Sequence, residues 1–462
     1  MTSRDQCGRL CSTFLEKVHH ARPDRPSRHF GLRRSLSLRD LIVYGLLFIG
    51  PLAPVGVFGV LDARTGGAVA MVYLLATIAM AFTAWSYAEM SRVVPHAGSV
   101  FAYASSGLSP GAGFLAGWLA MLDYLLIPSV AYLFSGIAMH ALVPSVPAWV
   151  FTLVALIATT LLNLAGVTVA ARAGLIVLIA EIAVLLLFIV LAVVFLVQEG
   201  AARPWSTPFV GHGAFALPAI VGAISIAVLS FLGFDAIASF AEESAGDSRQ
   251  VGVAILVCLG VAGLLFVVQS YLAAMISPIS SGELLAHPER QGTAFYELAR
   301  LTIGPSMATL LAVTKAIGPA FAAMTAQAAS ARLLLGMARD GRLPAALARV
   351  DDKHGVPTVS LLSAAALTLV VSVWAARRSD GLEVLVSIVD VGALAAFFLL
   401  HLSVVGFFVV QSKDDTRLAH WLVPILGGLV TMWVIAEASP LAKAVGLAWL
   451  VLGIVALITR RR

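Results

Sequence analysis

Five ionisable residues lie inside long apolar stretches of this 462-residue chain. They are Asp123, Glu181, Asp235, Lys315 and Asp390. An unpaired charge costs free energy in apolar surroundings, so residues of this kind are functional hypotheses by default. Because four of the five are acids, the chemistry they suggest is the binding of a cation or a proton.

Asp123 and Tyr124 lie midway along the apolar stretch GWLAMLDYLLIPSVAY. A carboxylate beside a phenol, with Trp118 nearby, can bind an organic cation by charge pairing and cation–π contact. The alternative is that Asp123 makes a hydrogen bond to another helix.

Asp235 follows Gly233 by two residues in FLGFDAIASFAEE. We expect the helix to unwind at this glycine, where a carboxylate can meet an ammonium group or orient the broken backbone. Alternatively, Asp235 caps the second half of the helix, since Asp is a favoured N-cap residue.

Glu181 stands alone within LIVLIAEIAVLLLFIV. Apolar surroundings disfavour the charged form of a carboxyl group, which predicts that Glu181 takes up and releases a proton. The alternative is a structural ion pair with Lys315.

Asp390 and three further groups lie within or near these stretches. Glu242 and Glu243 directly follow the sixth apolar run and are either solvated or form a gate with loop arginines such as Arg339 and Arg342. Asp390 lies in a helix of small residues suited to close packing and sliding. His401 is predicted to be a hydrogen-bonded core residue, with a proton relay as the alternative.

The elements that carry these residues are apolar runs long enough to cross a membrane. The chain is 60% hydrophobic and 12% charged, with a mean hydropathy of +0.95, whereas soluble domains are about 25% charged. Twelve runs of roughly 20 residues lie near 41–61, 66–90, 111–138, 147–167, 173–197, 215–241, 251–277, 303–332, 357–376, 384–411, 419–438 and 442–459. We therefore predict an all-α polytopic membrane protein with twelve transmembrane helices.

The distribution of Lys and Arg predicts the orientation in the membrane. Twenty-two of them fall on the side of the termini and seven on the opposite side, which places both termini in the cytoplasm. This asymmetry explains the net charge of +5, so we expect no nucleic-acid partner.

No metal, cofactor or enzyme motif stands out in the sequence. Cys7 and Cys11 are spaced C-x3-C, which is not the usual zinc spacing. H-E-x-x-H, G-x-S-x-G and phosphate-loop motifs are absent. We therefore predict neither an enzyme nor a metal site.

Two of the runs are interrupted. The first, LIVYGLLFIGPLAPVGVFGVL, contains Pro51 and Pro54, each of which removes a backbone donor. A break with few N–H groups is poorly suited to binding a carboxylate. The alternative is a proline-kinked packing helix. The second is interrupted at Gly233.

Aligning the two interruptions in the sequence divides the chain into two repeats and two flanking segments. Segments 41–197 and 215–411 each hold five spans, an odd number, so they run in opposite directions as inverted repeats. Together they form a predicted transporter core, 41–411. Residues 1–40 form a basic cytoplasmic tail, and 412–462 form a peripheral or dimer-facing pair of helices. We expect a monomer or homodimer.

Four segments, PLAPVGVFG, SYAEMSRVVPHAGSVFAYAS, FLGFDAIASFAEES and ARLLLGMARDGRLP, resemble the amino acid–polyamine–organocation superfamily of secondary carriers. The resemblance covers Leu38 to about Asp415. GFLAGWLAMLDYLLIPS and the Pro-Leu-Ala-Pro break are most similar to the putrescine importer branch. The resemblance implies a five-plus-five inverted-repeat (LeuT-like) fold with discontinuous helices 1 and 6, in the cell membrane.

Carried over onto this sequence, the resemblance implies substrate contacts at Ala53, Pro54, Val55, Gly56, Asp123, Tyr124, Phe231, Gly233, Phe234 and Asp235. Glu242 and Glu243 match the family's Glu-Glu pair. Two departures stand out: the Gly-Ser-Gly of amino-acid carriers is absent from the first break, and Glu181 lies where some members place a Lys. The expected coupling ion is the proton, ahead of Na⁺.

The residues and the resemblance agree on the charge of the substrate. Both favour a small organic amine, such as a putrescine-like diamine, as the substrate. The resemblance implies proton-coupled import by alternating access. The alternatives are an amino acid permease, an amine/amino-acid exchanger and a membrane sensor without transport.

Overall fold

The computed structural model describes residues 34–96, 98–212, 217–247, 249–351, 353–378, 381–412, 417–438 and 440–459. Most of the predicted 1–40 tail therefore lies outside the described residues. Within them every named element is helical, and one isolated β-bridge joins Leu36 to Ser244. The all-helical prediction is confirmed.

The helices, in chain order, are α1 (Leu38–Ile49), α2 (Phe58–Thr65), α3 (Val69–Val93), α4 (Val100–Gly107), α5 (Pro110–Leu142), α6 (Ala148–Leu164), α7 (Val167–Gln198), α8 (Thr207–Val210), α9 (Leu217–Leu229), α10 (Arg249–Ile276), α11 (Ser281–Ala286), α12 (Ala294–Thr302), α13 (Pro305–Arg339), α14 (Thr358–Ala376), α15 (Gly381–Val404), α16 (Ala419–Glu437) and α17 (Pro440–Thr459). Short 3₁₀ helices cover Ala53–Gly56, Asp235–Glu243, Pro288–Arg290 and Ala345–Ala348, and a π-helix covers Val405–Gln411.

Ten stretches of the described residues are long and apolar enough to cross a membrane. Two shorter apolar helices, α6 and α9, coincide with the fourth and sixth predicted spans. The multi-pass character is thus established, while the count of twelve spans stays a prediction.

The first predicted span is interrupted at its prolines. A Ser37–Asp40 capping box starts α1, which ends at Ile49 before Gly50 at φ +75°. The chain resumes as the 3₁₀ helix Ala53–Gly56 and then as α2. The amide of Gln269 on α10 donates to the Pro51 carbonyl at 2.9 Å, so a neighbouring helix satisfies backbone that the break exposes.

The second interruption lies against the first. After α9 the backbone turns through Gly233, at φ +120°, and continues as the 3₁₀ helix Asp235–Glu243. A Cβ at Gly233 would lie 2.6 Å from the Phe48 ring at the end of α1. Only glycine therefore allows both the backbone conformation and this contact.

His401 joins α15 to α3. Its ring nitrogens form hydrogen bonds with the hydroxyls of Thr83, at 3.2 Å, and Ser86, at 3.0 Å. The prediction of a hydrogen-bonded core histidine is confirmed.

The last helix, α17, packs on α5 through a pair of tryptophans. The Trp118 and Trp449 rings stack with their centroids 4.6 Å apart, and each indole N–H donates to the other residue's carbonyl. The expectation that Trp118 contributes a cation–π contact beside Asp123 is therefore wrong, because its ring is paired with α17.

Candidate functional site

The centre of the candidate site is a hydrogen bond between α5 and the second interruption. The Tyr124 hydroxyl donates to Asp235 Oδ2 at 2.6 Å, and the Gly233 N–H donates to Asp235 Oδ1 at 3.2 Å. Both side chains are buried. Asp235 thus orients the broken backbone, as one of the alternatives for it predicted, and Tyr124 fixes its carboxylate.

Pro128 explains how Tyr124 is held. A proline cannot donate to the carbonyl four residues earlier in a helix, so Pro128 leaves the Tyr124 carbonyl without its usual partner. The Ser330 hydroxyl of α13 donates to this carbonyl instead. The proline in LLIPS was therefore a usable signal, although the sequence did not identify Ser330 as the replacement donor.

Asp123 lies beside the Tyr124–Asp235 hydrogen bond but does not take part in it. It is 3% exposed, and its Oδ1 has no hydrogen-bond partner among the described residues. Asp235 and Asp390 both act on it electrostatically. The alternative in which Asp123 serves an interhelical hydrogen bond receives no support from these contacts.

Three aromatic rings pack together near Asp123 and Asp235. The Tyr87, Phe234 and Phe397 rings are in mutual contact, with centroid separations of 5.9 to 6.2 Å. Asp123 and Asp235 both act electrostatically on Tyr87. Sequence reasoning missed Tyr87 and Phe397, because nothing in the local pattern shows that α3 and α15 deliver these rings to one place.

Ser99 adds a strained element next to these rings. It has φ +49° and ψ −127°, an uncommon conformation for a residue with a side chain. Within the described part of the chain, Ser99 Oγ and the Tyr103 hydroxyl have no hydrogen-bond partner. Buried polar atoms of this kind are expected to meet water or a ligand.

The structure does not bring every predicted contact to the acids. The 3₁₀ helix Ala53–Gly56 packs against α10 and α12. A Cβ at Gly50 or Gly56 would meet no atom within 4 Å, so open space borders the break. The Phe231 ring packs against the rings of Tyr73 and Phe266.

Glu181 on α7 faces α13. Its carboxylate lies over Gly318, where a Cβ would collide with it. Lys315, one turn earlier on α13, is within electrostatic range of Glu181, but no ion pair between the two occurs in the described residues. Glu181 Oε2 has no hydrogen-bond partner there either. A permanent structural pair with Lys315 is therefore not observed.

Two ion pairs join the end of the 3₁₀ helix Asp235–Glu243 to α13. Glu242 contacts Arg339 at 2.6 Å, and both side chains are partly exposed. Glu243 pairs with Arg332 through two hydrogen bonds, and these side chains are only 1% and 4% exposed. The predicted partner Arg339 thus pairs with Glu242. Arg332 was not among the predicted gate residues, because it lies at the last position of the predicted span 303–332.

Aromatic rings support the buried pair. The Arg332 guanidinium lies 4.1 Å from the centroid of Phe240, and Tyr44 of α1 stacks on the same ring at 4.8 Å. Tyr44 also donates to the Val167 carbonyl at 2.7 Å. The cavity among these groups holds about 10 Å³, room for one water at most. The groups around the buried pair are therefore tightly packed.

This chain is similar in sequence to several known transport proteins. A family model described as "Amino acid permease" matches residues 41–459. The low-affinity putrescine importer of Escherichia coli is 30% identical over 433 residues, covering 92% of this chain and 93% of that protein. The branched-chain amino acid permease of Bacillus subtilis is 26% identical, covering 92% of each. The methylthioribose transporter of the same organism is also 26% identical, covering 92% and 93%.

Proposed function

The chain belongs to the amino acid permease family, and we propose that it imports a small organic amine, with a putrescine-like diamine as substrate. The observation that carries the proposal is Asp123, a buried acid with an unpartnered oxygen beside the Tyr124–Asp235 hydrogen bond. A carboxylate of this kind is stabilised by an ammonium group, and the neighbouring aromatic rings favour a cation as well.

The first interruption supports a substrate without a carboxylate. A carboxylate would be bound by free N–H groups at the start of a half-helix. Here Pro51 and Pro54 have none, and the Ala53, Val55 and Val57 N–H groups donate to backbone carbonyls of the break itself. Few donors remain for an anion.

The transport cycle follows from the proposed architecture. We assign twelve transmembrane helices in a five-plus-five inverted repeat, 41–197 and 215–411, with both termini in the cytoplasm. The two interruptions are in contact through Phe48 and Gly233, as a shared binding site requires. Movement of one repeat against the other would then expose this site alternately to each side of the cell membrane.

We assign the cytoplasmic gate of this cycle to the ion pairs at the end of the 3₁₀ helix Asp235–Glu243. Glu243 and Arg332 connect the second interruption to α13, and the Glu242–Arg339 pair lies beside them. Because the buried pair must separate before substrate leaves on this side, its strength sets how often the inner end opens.

Glu181 is the proposed proton-coupling residue. Its unpartnered oxygen lies between α7 and α13, and Lys315 nearby supplies a charge that responds to its protonation. Movement of α13 relative to α7 would change this interaction, which links proton binding to the conformation.

The test is uptake by proteoliposomes of the purified protein. We expect labelled putrescine to accumulate when an inward proton gradient is imposed, and accumulation to fall when the gradient is collapsed. Leucine and lysine serve as the amino-acid panel. Robust uptake of an amino acid with no uptake of any amine would overturn the proposal.

A second candidate is an amino acid permease. The branched-chain permease named above and a lysine-specific permease of Lactococcus lactis, 24% identical over 393 residues, favour it. An amine/amino-acid exchanger would show uptake of label only into vesicles preloaded with the opposite substrate. A sensor without transport would show binding and no uptake.

A further inference from the structure

Asp390 is a third carboxylate near the site, and the proposed function leaves it unused. It lies on α15, and its Oδ1 is buried without a hydrogen-bond partner in the described part of the chain. Asp390 and Asp123 interact electrostatically. Two acids on different helices therefore each carry a buried oxygen without a hydrogen-bond partner among the described residues.

Helix α15 packs closely on the part of α5 that carries Asp123. A Cβ at Gly392 would lie 2.9 Å from Leu122 Cβ and 3.0 Å from the Asp123 nitrogen. This close approach, which glycine permits, brings the α15 backbone against the segment that carries Asp123. Asp390 is two residues earlier, so it lies at nearly the same level along the axis but about half a helical turn around α15 from that contact.

Helix periodicity places Asp390 on the same side of α15 as an aromatic ring of the site. Residues seven apart share a helix face, about 10 Å apart along the axis. Phe397 follows Asp390 by seven residues and contacts Tyr87 and Phe234. An apolar, aromatic surface therefore lies between the acid at Asp390 and the end of the site at Asp235.

No basic side chain balances these acids among the described contacts. Lys315 acts on Glu181, and Arg332 is held by Glu243. Like charges close together in a low-dielectric site repel each other strongly. The cluster is stabilised either by a proton shared between two acids or by a ligand with more than one positive charge.

We propose that Asp390 binds the second ammonium group of a diamine whose first ammonium group lies at Asp123 and Asp235. This inference rests on the proposed function and makes the site selective for dications. The methylene chain of the substrate would lie along the Tyr87, Phe234 and Phe397 rings. Asp390 is then the residue that distinguishes a diamine from a monoamine.

The experiment compares two amines of equal chain length, 1,4-diaminobutane and 1-aminobutane, in proteoliposome uptake. Loss of a charged hydrogen bond is worth roughly tenfold to a hundredfold in affinity. We expect Asp390→Asn to raise KM for the diamine by at least about tenfold, while KM for the monoamine stays within about twofold of wild type. Asp351→Asn, in a surface loop, is the matched control and should behave as wild type.

Asp390→Glu provides a second variant that keeps the charge. Its carboxylate reaches one methylene further into the site, so we expect its preference to shift toward the shorter 1,3-diaminopropane. Retention of monoamine uptake shows that each variant is folded.

The outcomes separate the inference from the proposed function. Equal losses for the diamine and the monoamine in Asp390→Asn would assign Asp390 to a shared proton and overturn the inference. An unchanged ratio of the two KM values in both variants would also overturn the inference, but it would leave the proposal of amine import standing. Wild-type protein that takes up neither amine would refute the proposed function itself.

Discussion

Removing the charge of Arg332 should open the inner end of the bundle. The Glu243–Arg332 pair is buried, with side chains 1% and 4% exposed, and joins the second interruption to α13. Met has a similar length and no charge, so Arg332→Met keeps much of the packing on Phe240 while leaving Glu243 unpaired.

The magnitude follows from the burial of the pair. Breaking a buried ion pair by removing one partner costs about 3–5 kcal/mol. Opening solvates the unpaired carboxylate and recovers this cost, so the ratio of open to closed molecules should rise by up to roughly a hundredfold to a few thousandfold. The Glu242–Arg339 pair is partly exposed, and Arg339→Met should change the ratio by less than about tenfold.

Thiol labelling measures this ratio. Val167 lines the small cavity behind the pair, and Val167→Cys can be introduced into a protein in which Cys7, Cys11 and Cys258 are Ser. We expect slow labelling by a membrane-impermeant reagent in inside-out vesicles, and much faster labelling after Arg332→Met.

The double variant Glu243→Gln with Arg332→Met is the internal control. It leaves no buried charge, so its labelling rate should fall back toward that of the intact pair, which reveals the coupling between the two residues. Equal labelling rates in Arg332→Met and the parent would refute the gate. Equal effects of Arg332→Met and Arg339→Met would contradict the argument from burial.

Three further predictions test other contacts. Tyr124→Phe removes the hydrogen bond to Asp235 and should raise KM for the amine by about tenfold to a hundredfold; an unchanged KM would contradict the role of this hydroxyl. Glu181→Gln should abolish gradient-driven accumulation in proteoliposomes but leave exchange; preserved accumulation would remove Glu181 as the proton site. Asp62→Asn leaves the buried Arg203 without its 2.6 Å ion pair and should destabilise the folded protein by about 3–5 kcal/mol, seen as a lower unfolding midpoint; an unchanged midpoint would contradict this.

The sequence predicts the helical segments and the interruptions well, for local reasons. Apolar length identifies a membrane helix, and Pro51, Pro54 and Gly233 disrupt helices wherever they lie. Observed helix ends differ from the predicted ones by a few residues, as at α7, which begins at Val167 where the sequence predicted 173. Composition alone does not show where an apolar helix extends beyond the membrane.

The site is less predictable because its contacts join distant segments. Asp123, Tyr124 and Asp235 were found as polar residues at bilayer depth, a property visible in one segment. Tyr87 and Phe397 were not, because aromatic residues in apolar helices are common and their convergence depends on helix packing. Arg332 was missed for a related reason: its partner Glu243 is 89 residues away in the chain.

The central claim is that the Asp123–Tyr124–Asp235 cluster binds an ammonium group of a substrate that has no carboxylate. Equilibrium binding of labelled putrescine to purified protein, by scintillation proximity, tests it most directly. We predict that amines displace the label and leucine does not, and that Asp123→Asn weakens binding by at least about tenfold. Displacement by leucine at lower concentration than by any amine, with binding unchanged in Asp123→Asn, would contradict the claim.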